Sequence, residues 1–280
     1  SIFLLIIYSF FKINFYLKVE KEYQILKNEI TQEIKKFPGE IGIYIKDLKT
    51  NHTITYNENT KFPAASIIKI PIMAATFMAE KEGLINTQQI ILLKNKYKTR
   101  GSVIIKFNKP GTKLSIYELV ELMITESDNT ATNILVDFLG FEYINNFLKK
   151  ENLKFTNFDR NIMDLTARSK GIENYTTPKE IGLMLEKIYR GELVDKAYSE
   201  KMLYILQHQQ IKDRIPKMLP KSLEIANKTG FMRNVCHDAG IVFTEKGPFV
   251  ICIFTKTKEY KFAKNLIANI SLTTYNHYVD

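Results

Sequence analysis

Apolar positions along the chain follow two rhythms, and the change between them divides it. From Val19 to Lys36, Tyr23, Leu26, Ile30 and Ile34 recur among lysines and glutamates at the spacing of one helical face, and Pro38-Gly39 ends the pattern. Alternation then predicts strands at Ile41–Asp47 and Thr53–Tyr56, with Lys49-Thr50-Asn51 as the turn. A dense apolar run from Ile70 to Ala79 predicts a helix in which Pro71 breaks a local rule, since proline costs about 3 kcal/mol inside a helix unless it falls in the first turn. Residues 84–118 are mixed, with a turn at Asn108–Gly111, and Ser115 with Glu118 has the spacing of a capping box. Helices are predicted at 115–125, 129–138, 141–150, 178–190 and 196–209. Between them, Asn157–Pro178 is polar and irregular, long enough to suggest a functional loop. Strands follow at Leu223–Thr229, Ala239–Thr244 and Phe249–Thr255, and a helix closes the chain at Tyr260–Tyr278.

Strands thus lie at both ends and helices in the middle. This predicts an α/β (α+β) fold: an antiparallel sheet built from the N- and C-terminal segments, flanked by helices, with an all-helical lobe inserted between them. The expected division is an α/β lobe from 19–62 and 210–280 and a helical lobe from 63–209. Residues 1–18 contain an 11-residue apolar run, Ser1 to Phe11, shorter than the roughly 20 residues of a spanning helix. A signal peptide or uncleaved anchor fits this run, which would put the body outside the cytoplasm, periplasmic or at the cell surface.

The 280 residues carry a net charge of +10, from 34 lysines and six arginines spread along the chain. That is a solvated basic surface with some attraction to anionic polymers such as cell wall or membrane; no nucleic-acid-binding module is present. Cys236 and Cys252 form neither CxxC nor a ligand cluster, so no metal or cofactor is expected. Buried thiols are the first expectation, and a disulfide is the alternative in an oxidising compartment. A monomer is expected.

Candidate chemistry starts at Ser66-Ile-Ile-Lys69. On a helix the two side chains share a face, and a partly desolvated lysine can take the proton that makes a serine nucleophilic. Alone this signal is worthless: Ser-x-x-Lys is expected about once by chance. It recurs at Ser9–Lys12, and an N-cap serine followed by a surface lysine explains either. Ser127-Asp128-Asn129 and Lys228-Thr229-Gly230 change this, because chance gives about 0.02 and 0.1 occurrences respectively. The set, with Phe62-Pro-Ala-Ala-Ser66, Glu126–Asn133, Thr176-Thr-Pro178 and His237–Val242, resembles the serine β-lactamase/penicillin-binding superfamily, closest to class A, over essentially everything after residue 20.

The resemblance implies roles. Ser66 attacks a strained lactam or D-Ala-D-Ala carbonyl, Lys69 accepts or relays its proton, and Ser127 passes a proton to the leaving nitrogen. Asn129 bonds the substrate's side-chain amide. Lys228 and Thr229 hold the substrate carboxylate, Gly230 completes that motif, and the backbone N–H groups of Ser66 and Phe231 form the oxyanion site. Phe231 replaces a small residue, so its side chain narrows the cleft. Asp128 and Asn133 are expected to be structural, and His237 is not expected to act as a protease base.

One departure stands out. Class A enzymes carry Arg-x-Glu-x-x-Leu-Asn in the long loop, the glutamate activating the deacylating water; here the register is Arg160-Asn-Ile162-Met-Asp-Leu165-Thr166. Ile162 cannot take a proton, and Thr166 stands in place of the water-holding asparagine. Asn174 replaces the aspartate that pairs with the arginine, predicting at best a neutral tie to Arg160. Asp164 and Glu173 are nearby acids, neither in register. Three functions are consistent with this set: a class A-like β-lactamase with slow deacylation, a D,D-peptidase acting on peptidoglycan stem peptides, and a non-turnover β-lactam sensor.

Overall fold

The computed structural model describes residues 2–279, with side chains from residue 17 onward. In chain order the first elements are α1 (Ile2–Ile34), β1 (Glu40–Asp47), β2 (Thr53–Tyr56), β3 (Phe62–Pro63), a 3-10 turn at Ala65–Ile68 and α2 (Lys69–Lys81). The middle contains β4 (Ile90–Leu92), β5 (Lys113–Ser115), α3 (Ile116–Thr125), α4 (Asn129–Leu139), α5 (Phe141–Lys150), α6 (Leu165–Ser169), β6 (Tyr175–Thr176), α7 (Pro178–Arg190) and α8 (Lys196–Gln207). The chain closes with β7 (Ile225–Met232), β8 (Val235–Val242), β9 (Phe249–Lys256) and α9 (Tyr260–His277). The expectation of a signal peptide or anchor at 1–18 falls largely on residues whose side chains lie outside the described set. Among the described residues no helix is long and apolar enough to cross a membrane.

Five strands form one antiparallel sheet in the order β2-β1-β9-β8-β7, so the two chain ends share a sheet as the fold class requires. Side chains on a strand point alternately to its two faces. On β9, Phe249, Ile251 and Ile253 join one core with α1 and α9, whereas Val250, Cys252 and Phe254 join the other with the central helices. Cys236 belongs to the first core and Cys252 to the second; both are buried free thiols, and their opposite faces rule out the disulfide alternative.

The middle of the chain folds as its caps dictate. Ser115 and Glu118 form the reciprocal capping box of α3, and Asp128 caps α4 by accepting from Ala131 N–H. Helix α2 is apolar nearly all round and is buried accordingly. Pro71 is its third residue, where a backbone N–H would have no intrahelical acceptor, so the rule it seemed to break does not apply.

Two expectations need correction. The stretch 157–178 is not wholly irregular, since it contains α6, capped by Asp164, and β6, paired with β3. Strand β7 continues past Thr229 to Met232 and β8 starts at Val235, so Lys228-Thr229-Gly230 sits inside a hairpin and not at a strand end. The polar side chains of that hairpin interrupt the apolar rhythm that would have revealed it.

Candidate active site

Three segments meet at Ser66. The 3-10 turn carrying it lies between β7 and α2, and the turn before α4 supplies Ser127 and Asp128, with Asn129 as the helix's first residue. Gly230 allows the first approach: a Cβ there would lie 2.9 Å from Ile67 Cγ1, 3.3 Å from His237 Cβ and 3.4 Å from Ala64 O. Ala65, Ser127 and Met163 all adopt left-handed backbone, with φ of 46°, 56° and 66°. For residues with a Cβ this costs energy, and such residues cluster at functional sites when the surroundings hold them there.

Lys69 is fully buried, and its ammonium donates to Ser127 O at 2.7 Å, Ser127 Oγ at 3.2 Å and Asn129 Oδ1 at 2.9 Å. All three bonds go to the Ser127–Asn129 segment, which fixes the Lys69 amine beside the Ser127 hydroxyl. Burial pulls the Lys69 pKa down to about 7, only partly offset by the charge of Asp128. Lys228, also fully buried, donates to the same Ser127 Oγ at 3.0 Å and to Thr229 O at 3.0 Å. Its pKa is driven well below the ordinary lysine value by burial and then by Lys69. Two buried amines flanking one hydroxyl disfavour double protonation, so the arrangement keeps a neutral amine available near pH 7.

Asn129 accepts from Lys69, and its Nδ2 donates to Arg100 O at 3.0 Å, which leaves one N–H and one oxygen lone pair of its carboxamide for a ligand. Burial alone would raise the Asp128 carboxyl, but hydrogen bonds from Ser102 Oγ and from the amides of Ala131, Ile104 and Ile105 outweigh it and hold it below the usual range. Asp128 is therefore a structural anchor. Asn133 is another, accepting from Ile162 N–H and donating to Ile162 O. His237 accepts from Thr255 N–H through Nδ1, which leaves Nε2–H to donate to Pro63 O at 3.0 Å. Burial takes its pKa down to about 4, and it serves as a strut.

The cleft beside Ser66 is lined on one side by Asn129 and Phe231 and on the loop side by Ile162, Met163, Leu165 and Arg168. Ile162 therefore shares the cavity with the nucleophile. Thr166 is exposed and Leu165 lines the wall instead.

The expectation of a neutral tie to Arg160 is wrong. Arg160 Nε and Nη2 donate to Glu173 Oε1 at 2.9 and 2.5 Å, both residues are buried, and Arg168 reaches Glu173 Oε2 at 3.3 Å. Asn174 instead ties the loop's backbone, accepting from the amides of Asp159 and Arg160 and donating to Arg160 O. Of the two nearby acids, Asp164 caps α6 and Glu173 is clamped between two guanidinium groups. Both Glu173 oxygens are thus engaged by guanidinium donors and not directed at the cleft's nucleophile.

Arg214 was not legible as a site residue. It is nearly fully buried, lies 5.9 Å from the Phe231 ring centroid and donates to Cys236 Sγ at 3.2 Å. Beneath it Asp238 accepts from Asn227 Nδ2 and Ile215 N–H, and burial raises its pKa to about 6. Arginine scarcity was the available signal: three of the six, Arg160, Arg168 and Arg214, line or underlie the cleft. Phe231 itself is 51% exposed, with Tyr260 edge-on at 5.0 Å.

A model of the beta-lactamase enzyme family matches residues 24–278. Among curated relatives, the chain is 26% identical over 231 residues to beta-lactamase CARB-4 of Pseudomonas aeruginosa, covering 80% of this chain and 79% of that protein. It is also 26% identical over 251 residues to an imipenem-hydrolyzing beta-lactamase of Enterobacter cloacae, covering 85% and 83%. Among solved structures, a beta-lactamase from Sphaerobacter thermophilus superposes with a TM-score of 0.82 at 26% identity, over 90% of this chain and 96% of that one. PBP-A superposes with a TM-score of 0.83 at 28% identity, over 91% and 96%. A leucine-to-glutamate mutant of PBP-A, seen as an acyl-enzyme complex with penicillin G, superposes equally well.

Proposed function

The chain belongs to the beta-lactamase enzyme family, and from that membership we propose a class A-like serine hydrolase that opens β-lactams through an acyl-enzyme on Ser66 and releases the acyl group slowly. The observation that carries the slow release is Ile162 in the cavity with Ser66, with the carboxylate that lines that cavity, Glu173, paired to Arg160 and Arg168.

In this reading the substrate carboxylate sits at Lys228 and Thr229 and keeps Lys228 protonated by charge pairing. That charge lies beside Lys69, through the shared Ser127 Oγ, and favours a neutral Lys69. Lys69 takes the Ser66 proton as Ser66 Oγ bonds to the lactam carbonyl carbon, with the oxyanion at the N–H groups of Ser66 and Phe231. The C–N bond then breaks, and the nitrogen takes a proton through Ser127, which Lys69 replenishes. Hydrolysis of the ester needs a base for water, and an isoleucine supplies none.

A D,D-peptidase is the second reading, favoured by the apolar loop wall of Ile162, Met163 and Leu165 and by the likeness to PBP-A. Either activity would be exercised outside the cytoplasm, where wall peptides lie. Gel labelling with a fluorescent penicillin tests the shared step: the wild type takes label, and Ser66→Ala takes none. If Ser66→Ala is labelled, the nucleophile assignment fails. Cleavage of a D-Ala-D-Ala peptide faster than net penicillin hydrolysis selects the peptidase.

A further inference from the structure

Between Glu82 and Glu118 the chain has seven basic residues, from Lys94 to Lys113, and no carboxylate. All seven are exposed, and among the described residues none is in an ion pair. At the tip of this segment stand three exposed apolar side chains: Val103 at 45%, Ile104 at 40% and Phe107 at 76%. A 3-10 turn over Ile105–Phe107, closed by Phe107 N–H to Ile104 O at 3.1 Å, brings Ile104 and Phe107 onto one side. Two lysines lie beside them: Lys106 lies 4.6 Å from the Phe107 ring centroid, and Lys98 donates to Lys106 O at 3.3 Å.

This tip is held firmly. The Asp128 carboxylate accepts from Ser102 Oγ at 2.5 Å and from the amides of Val103, Ile104 and Ile105 at 3.1, 3.0 and 3.1 Å. A fixed turn that presents an aromatic ring and two branched aliphatics to water, on a basic segment with no carboxylate of its own, has the composition of an interfacial anchor. A soluble polyanion would need the charge alone and gives no reason for the apolar tip. An anionic bilayer uses both, since lysines meet lipid headgroups while the apolar side chains enter the acyl boundary.

We propose that the tip Val103–Phe107 and the basic segment around it dock peripherally on an anionic lipid bilayer. Because Asp128 lies between Ser127 and Asn129, docking would hold the cleft at the membrane surface.

The chain lacks tryptophan, so Phe107→Trp in the full chain creates a single indole at the tip. Titration with vesicles of phosphatidylcholine and phosphatidylglycerol at about three to one should shift its emission to the blue, with about tenfold weaker partitioning onto pure phosphatidylcholine. Lys106→Glu with Lys109→Glu should weaken partitioning by a similar factor, and Phe107→Ser should reduce co-sedimentation of the otherwise wild-type chain. Penicillin labelling of each variant checks folding. The proposal is overturned by unchanged indole emission while the protein sediments with vesicles, which would put docking elsewhere. An equal shift with soluble polyphosphate would also overturn it, in favour of a polymer. So would a concentration-dependent shift without lipid, in favour of a second copy of the chain.

Discussion

Asn133 grips Ile162 from both sides, its Oδ1 accepting from Ile162 N–H at 2.9 Å and its Nδ2 donating to Ile162 O at 3.0 Å. The backbone position of residue 162 is thus set by Asn133 and not by its own side chain. Ile162→Glu should leave that position intact and bring a carboxylate into the cavity with Ser66. Decay of the acyl adduct, followed after a single acylation, should quicken by about 10²–10⁴-fold. Adding Asn133→Ala should remove most of the gain. An unchanged decay rate would show that residue 162 does not face the acyl carbonyl.

Acylation should depend on pH through Lys69. Its pKa lies near 7, so the amine is protonated and inert as a base below that value and neutral above it. Stopped-flow acylation should therefore fall about tenfold per unit as pH drops below 7 and level off above. Lys69→Ala should cost about 10²–10⁴ in rate and abolish this limb. A wild-type profile flat from pH 5 to 8 would assign the base elsewhere.

The buried ion pair of Arg160 and Glu173 should matter more for the loop than for acylation. Glu173→Gln leaves Arg160 without a counter-charge at a buried position, and breaking such pairs costs about 3–5 kcal/mol. Thermal unfolding should move down by several degrees, and limited proteolysis should cut first within 157–178. Penicillin labelling of the folded fraction should persist. Its loss would make Glu173 part of the acylation machinery.

Gly230→Ala tests the seam between β7 and the nucleophile turn. The added methyl meets Ile67 Cγ1, which belongs to the packed core, at 2.9 Å. Overpacking of this kind costs about 1–3 kcal/mol. Because the clash lies next to Ser66, acylation should slow as well as stability fall. A fall in stability alone would show that the seam tolerates displacement without moving the oxyanion donors.

Much of the architecture was legible because one physical signal dominated each element. Alternation in Ile41–Asp47 and the continuous apolar run Phe249–Phe254 marked strands, the second dividing its side chains between two cores. The Ser115/Glu118 spacing marked the start of α3 to the residue. The hairpin carrying Lys228 and Asp238 was hidden because both are buried polar residues held by hydrogen bonds, which a hydrophobic rhythm does not register. The partner of Arg160 was hidden for another reason. Glu173 precedes Asn174 by one residue, and only the folded loop shows that the guanidinium reaches the earlier side chain while the later one ties backbone. The hydrogen-bonded Lys69–Ser127–Lys228 cluster needed three segments far apart in sequence to meet. Its residues were named by their motifs, but their hydrogen bonds were not.

Ser66 should acylate readily and deacylate slowly. Intact-protein mass spectrometry over time, after mixing the wild type with a modest excess of penicillin, tests this most directly. The expected result is rapid gain of one whole penicillin mass by the intact chain, located on the Ser66 peptide after digestion, an adduct that persists over many minutes, and little hydrolysed penicillin in solution. Rapid loss of the adduct with stoichiometric excess of hydrolysed product, or no adduct at Ser66, would contradict it.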